Sequence, residues 1–233
     1  MINENTITGR FDSIAHRYDL ANHIISLGMD TSWRSRLVSL LPEKENIKML
    51  DIACGTANIA IAAGKRYPGI ASITAIDASK NMLKAARKKV QRAGLNRKIR
   101  LINGSMTDLP FPNELFDCVS IAFGIRNTSE KSRAVSEMVR VLKPGASLII
   151  MEFSIPSGLL LRIPYEIYMK FLVPLIAGFI TGHREPYSYL YSSIREFSSA
   201  NEVPDLLKSA QIKYHKPLSL AGGAVWIYKA FKY

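Results

Sequence analysis

The chain is poor in cysteine: its 233 residues contain two, Cys54 and Cys118. Two distant thiols make neither a disulfide framework nor a cysteine-ligated metal cluster, so a reducing compartment and no metal site are expected. Long apolar runs are also missing. The longest, Phe171–Ile180, has ten residues and contains Pro174 and Gly178, whereas a helix crossing a bilayer needs ~20. The opening MINENTITGRFD lacks the apolar core of a secretory signal. A soluble or peripheral protein is therefore expected. Acidic residues are scarce: 19 Asp and Glu face 31 Lys and Arg, a formal charge of +12. Such a surface attracts nucleic acid, acidic headgroups or phosphorylated metabolites without choosing among them. Neither the G-x-G-x-x-G pattern nor a Walker phosphate loop occurs, which argues against a ligand held by its pyrophosphate.

What is present suits a globular core, with 48% hydrophobic and 21% charged residues. Compact apolar runs at 47–53, 70–77, 98–103, 116–123 and 146–153 read as buried strands. Helical patterns separate them: one ends near Arg66, one is capped by Ser79, and one runs from Ser129 to about Leu142. A helix at 203–210 and strands at 212–216 and 224–231 close the chain. The alternation predicts an α/β fold, doubly wound around a mostly parallel seven-stranded sheet. Residues 1–42 read as a helical cap and 155–200 as a helical insertion or lid, all within one domain spanning 1–233.

The strongest local signal is LDIACGTAN, Leu50–Asn58, where the first strand gives way to a helix. Gly55 allows close backbone approach, and free N–H groups follow at the helix start. Asp77 ends the second strand, 22 positions after Gly55, where a carboxylate can accept from both hydroxyls of a ribose. With one glycine in the loop, a phosphate-free nucleoside fits better than a dinucleotide, and S-adenosylmethionine is such a ligand. Its adenine is expected near Met82 and the Ser105-Met106 turn, although Met82 is equally suited to core packing.

These residues resemble the class I methyltransferases. More closely, the chain resembles the menaquinone/ubiquinone C-methyltransferase family. The resemblance rests on FDSIAHRYDLANHIISLGMDTSWR (11–34), LDIACGTAN, LPFPNELFD (109–117), FGIRN (123–127), VLKPGASLIIMEFSIP (141–156), YSYLYSSIREF (187–197) and AGGAVWIYKAFKY (221–233). It implies an S-adenosylmethionine cofactor and a cofactor-binding set of Asp51, Ala53, Gly55, Thr56, Asn58, Asp77, Ala78, Met82, Ser105, Met106 and Ala122. Family loops usually read GTGD or GTAD, so Asn58 removes a negative charge, and Ser105 stands where Asn or Asp is usual.

The resemblance also implies the reaction, C-methylation of a polyprenylated quinol ring. Ionising a quinol hydroxyl makes the neighbouring ring carbon electron-rich enough to take the methyl group, and a ring proton is then lost. The implied catalytic residues are Arg126, Asn127 and Tyr18. Arg126 either stabilises the phenolate or forms a structural pair with a carboxylate; Tyr18 either donates a hydrogen bond or packs. Leu159, Leu160, Ile163, Tyr165, Ile167, Tyr168, Phe171, Leu172, Leu175, Ile176 and Phe179 are candidates for an apolar channel or a membrane-dipping face, with Arg162, Lys170, His183 and Arg184 available to anionic headgroups. A plain helix pair covering the sheet is the alternative.

Expected partners are thus the quinol and the inner membrane face of a cytoplasmic location; a homodimer is left open. Nucleic acid is not expected, because the (N/D)PP(Y/F/W) tetrapeptide of base methylation is replaced by FGIRN. The GTA loop and the FLVPLIAGFI segment lean towards demethylmenaquinol as substrate. Methylation of a 2-methoxy-6-polyprenyl-1,4-benzoquinol, or a catalytically weakened scaffold, stays open.

Overall fold

Buried on both faces, a parallel strand has no reason to alternate polar and apolar residues, and the apolar runs of this chain pair in that way. The computed structural model describes residues 4–197 and 199–233. Its strands are β1 (Ile47–Ile52), β2 (Ile70–Asp77), β3 (Ile99–Asn103), β4 (Phe116–Ala122), β5 (Leu142–Phe153), β6 (Lys213–Tyr214), β7 (Leu218–Leu220) and β8 (Val225–Phe231). Among the described residues they form one sheet in the order β3-β2-β1-β4-β5-β8-β6, with β7 also on β8. β1 to β5 are parallel, whereas β8 is antiparallel to its neighbours. The strand order reverses between β1 and β4, so the crevice above their carboxyl ends is the natural ligand site.

The expected strand at 212–216 shrinks to two residues, and β7 was not anticipated. Pro217 lies between the two and offers no N–H to the ladder, so the pairing breaks and resumes.

Helices α4 (Asn58–Arg66), α5 (Lys80–Arg92) and α6 (Lys131–Val141) make the crossovers, and α10 (Ser199–Ser209) leads into β6. The sheet packs on both faces. Leu50, Ile52, Val119, Ile121 and Ile150 pack with α6 and α10 residues such as Met138 and Leu207. Met49, Ile73, Cys118, Ile149 and Met151 pack on the other face with Ala60, Ala63 and Ala86. Cys118 is fully buried.

The cap consists of α1 (Glu4–Ile14), α2 (Tyr18–Ile25) and α3 (Met29–Val38). The insertion contains α7 (Leu159–Ile167), a π-helical turn at Tyr168–Leu172, α8 (Val173–Thr181) and α9 (Glu185–Glu196). Here the sequence reading needs correction. The longest apolar run, Phe171–Ile180, has ten residues, yet it lies within one continuous helix of 23 residues, 159–181, long and apolar enough by length and composition to cross a membrane. The wide π turn takes up the hydrogen-bond mismatch that Pro174 creates. The insertion does not cover the sheet. Its inner residues Met169, Val173, Ala177, Tyr187 and Ile194 pack with Ile14 and Ala21 of the cap.

Candidate active site

The loop after β1 is built from left-handed backbone. Ala53, Gly55 and Ala57 have φ of 50°, 53° and 63°, and Phe123, just after β4, has 57°. Such conformations are disfavoured for residues other than glycine and concentrate at functional sites. They also delay α4, which starts at Asn58 rather than directly after Gly55. The ends of β1 and β4 approach so closely that a Cβ on Gly124 would lie 2.7 Å from that of Ala53.

Two adjoining cavities open above this edge. The smaller, about 110 Å³, is lined by Asp77, Ala78, Met82, Ser105, Met106 and Asn127, among others. The larger, about 320 Å³, takes in Asp51, Thr56, Asn58 and Arg126. Phe11, Tyr18, Ala53, Gly55, Ala122 and Phe123 line both and form the wall between them. Every residue expected from the sequence to bind cofactor thus borders one cavity or the other, and Tyr18 stands between them.

The carboxylate of Asp77 anchors the loop. Its Oδ2 accepts from the N–H of Gly55 at 2.7 Å and its Oδ1 from that of Ser79 at 2.8 Å. Burial nevertheless raises its pKa. Ser79 caps α5 by accepting from Met82 N–H and donates to Asp12 of α1 at 2.5 Å, tying the cap to the cofactor edge. Ser105 is engaged locally with Thr107 at 2.8 Å. Met82 serves both of its expected roles, because it lines the smaller cavity and packs with the cap.

Asp51 is enclosed at the end of β1. Ser120 donates to its Oδ1 at 2.7 Å, while Oδ2 is buried without a hydrogen-bond partner. Burial pushes its pKa up to about 7. An orphaned buried carboxylate oxygen beside a loop that borders both cavities suits a cationic amino acid end, so the donor set fits S-adenosylmethionine.

Asn58 joins a polar cluster that ties the loop to the cap. Asp19 of α2 reaches the loop and accepts from Thr56 Oγ1 at 2.7 Å and Asn58 Nδ2 at 2.8 Å. Lys89 of α5 completes the cluster, 2.6 Å from Asp19 Oδ2, and also bonds Asn58 Oδ1. Burial opposes ionisation of Asp19, but the bonds from Lys89, Thr56 and Asn58 outweigh it and hold its pKa below the usual range. The cap is therefore latched to the cofactor loop through one carboxylate.

Arg126 lies in a 3-10 turn, Ile125–Asn127, and is 5% exposed. The structural pairing allowed by the sequence is present: Nη1 lies 2.7 Å from Glu152 Oε1 and 2.5 Å from Phe123 O, and Nε donates to Ser193. None of these bonds uses Nη2, and Arg126 still lines the larger cavity. Asn127 lies on the cofactor side, where its Oδ1 accepts from Tyr189 at 3.4 Å. Burial raises the pKa of Tyr18.

The sequence reading missed Glu152, Trp33, Tyr187 and Tyr189. Glu152 had a signal, a lone carboxylate in the apolar run LIIMEF. Of the apolar insertion residues proposed for a channel, Tyr165 and Tyr168 line the larger cavity. Leu159, Leu160, Ile163, Ile167, Phe171, Leu172, Leu175 and Phe179 point outward instead. His183 and Arg184 are exposed and border neither cavity.

Comparison with known proteins agrees with this geometry. A ubiquinone/menaquinone biosynthesis C-methyltransferase of Geotalea daltonii is 35% identical, with 95% of this chain and 94% of the relative covered. A demethylmenaquinone methyltransferase of Thermus thermophilus is 36% identical over 86% of this chain and 90% of its own. The fold matches the crystal structure of an S-adenosylmethionine-dependent methyltransferase from Thermotoga maritima, with TM-score 0.67 and 20% identity over 97% of this chain and all of the other. The ubiE/COQ5 methyltransferase family matches residues 1–232. The chain belongs to that family and is an S-adenosylmethionine-dependent C-methyltransferase.

Proposed function

We propose that this chain methylates a ring carbon of a polyprenylated quinol, with demethylmenaquinol as the preferred substrate. The carrying observation is the pair of cavities: a smaller one bordered by Asp77 and Met82 adjoins a larger one, and Ala53, Gly55 and Ala122 line both. Beside the aromatic Phe11, Tyr18 and Phe123, these small residues leave room for two ligands to approach each other. The names of the relatives support the quinol as substrate class.

In this reading Asp51 would hold the cofactor's ammonium group, and Asp77 its ribose hydroxyls. When bound, S-adenosylmethionine would supply an electrophilic methyl group. Arg126 would hold the quinol oxygen as phenolate, which raises electron density at the adjacent carbon. It is not the base, since guanidinium keeps its proton below pH ~12. Phe11 and Tyr18, which line both cavities, help exclude water, and holding two ligands in line supplies up to ~7–11 kcal/mol.

The outer surface supports a peripheral, membrane-facing placement. Helix 159–181 is mostly exposed, with Leu160 at 93% and Phe179 at 91%, and Leu20, Ile24, Leu27 and Met29 of the cap add to it. Apolar area this large on a soluble domain marks an interaction site. Leu27 and Met29, exposed on the cap, also line the larger cavity. Leu20 shares a groove with Lys84, Lys88 and Arg92 of the basic α5, a fit for anionic headgroups. The inner face of helix 159–181 is held by the cap, with Tyr168 donating to Ile25 O at 2.9 Å, which favours lying on a bilayer over crossing it.

Methyl transfer with reduced demethylmenaquinone and a demethylated benzoquinol, side by side, tests the substrate. Turnover of the naphthoquinol is expected to be faster. Methylation of neither would sink the proposal.

A further inference from the structure

We infer that Tyr165 and Tyr187 are the two hydroxyl donors that hold the substrate's ring oxygens; the inference rests on the quinol reading above. Both side chains line the larger cavity. Both hydroxyl oxygens are buried, and neither has a hydrogen-bond partner among the described residues. A buried hydroxyl left unbonded is destabilising, so such groups are nearly always satisfied. Two of them, on side chains that line one cavity, require an explanation, and a ligand with two oxygens provides it.

Their positions differ in a useful way. Tyr165 on α7 lies close enough to the Arg126–Glu152 pair to feel both charges. Tyr187 on α9 lies near Tyr18. The lining of the cavity mixes apolar residues, Ile14, Trp33, Met169 and Val173, with polar ones that include Arg126 and Tyr18. A ring bearing two oxygens offers an acceptor to each of the two hydroxyls. Tyr165 serves the oxygen that ionises, beside the guanidinium, and Tyr187 serves the other. Burial raises the pKa of both phenols, so they act as neutral donors and not as bases. Substrates with one ring oxygen would leave one hydroxyl unpartnered, which makes the pair a specificity device for quinols over simple phenols.

The test uses Tyr165→Phe and Tyr187→Phe in the full chain. Each should raise the KM for reduced demethylmenaquinone by about 3–12-fold, with unchanged cofactor affinity by calorimetry. Without substrate, each should raise Tm by about 2–4 °C, because a buried unbonded hydroxyl is removed. A prenylated naphthalene with one hydroxyl, used as inhibitor, should bind the wild type less well than the quinol does, and one of the two variants should lose that discrimination. If the wild type methylates the quinol but KM is unchanged in both variants, this inference falls alone, and the hydroxyls are held by solvent. A lower Tm with unchanged KM marks structural hydroxyls and likewise overturns it. If the wild type methylates no quinol, the substrate reading falls and takes this inference with it.

Discussion

Replacing Asp51 by Asn isolates one buried charge. Burial pushes the Asp51 carboxyl from 3.8 to about 7, whereas the unfolded chain titrates near ~3.9. Between about pH 4 and 7 the folded protein therefore binds a proton that the unfolded chain has released. The stability contributed by this group is complete below about pH 4 and is lost as pH rises to about 7. Three units at about 1.36 kcal/mol each amount to about 4 kcal/mol. A cationic ligand end reverses the preference, because it needs the carboxylate ionised. Cofactor affinity should accordingly rise by about tenfold per pH unit up to about 7 and then level off. Asp51→Asn should abolish both slopes and weaken binding at pH 7.5. Urea denaturation and calorimetric titration of both proteins between pH 4.5 and 7.5 measure the two effects. A constant stability gap between wild type and variant across that range would refute the argument, as would cofactor affinity independent of pH.

Arg126→Lys keeps a cation opposite Glu152 but loses the planar fork; kcat should drop by about 100-fold with cofactor affinity within twofold, and equal loss in both by steady-state kinetics and calorimetry would make Arg126 purely structural. Glu152→Gln leaves the buried guanidinium uncompensated and should cost about 3–5 kcal/mol in urea denaturation; a change under about 1 kcal/mol would contradict the buried pair. Asp19→Ala releases the cap latch, which is partly exposed, and should weaken cofactor binding by about fivefold, ~1 kcal/mol; unchanged affinity would mean the latch is incidental. Leu160→Ser with Phe179→Ser should reduce partition onto anionic vesicles by at least about tenfold while leaving Tm unchanged, and undiminished sedimentation with vesicles would refute the membrane-facing placement.

Much of the architecture was readable because parallel strands buried on both faces leave continuous apolar runs, as in IKMLDI and FDCVSIA. The cofactor edge was readable for a similarly local reason: Gly55 and Asp77 sit at the ends of adjacent strands, and strand ends are visible in sequence. Three-residue β7 has no such signature. Helix 159–181 escaped a count of unbroken apolar residues because Arg162, Glu166 and Lys170 interrupt it, and nothing in the composition announces a π turn. Partners far apart in the chain were hidden altogether. Asp19 and Lys89 lie 70 positions apart, so the cluster that Asn58 joins was not visible in the sequence. Arg126 and Glu152 lie 26 apart, and the sequence offered a carboxylate partner for the arginine without saying which.

Helix 159–181 divides its two faces between the cap and the outside, and Leu27 and Met29, which line the larger cavity, are exposed and apolar like that outer face. For an enzyme placed so, the relevant substrate concentration is a mole fraction in two dimensions. Adding inert lipid at constant total quinol should slow the reaction by surface dilution, although no volume has changed. An inhibitor's potency would then depend on its partition coefficient as much as on its fit.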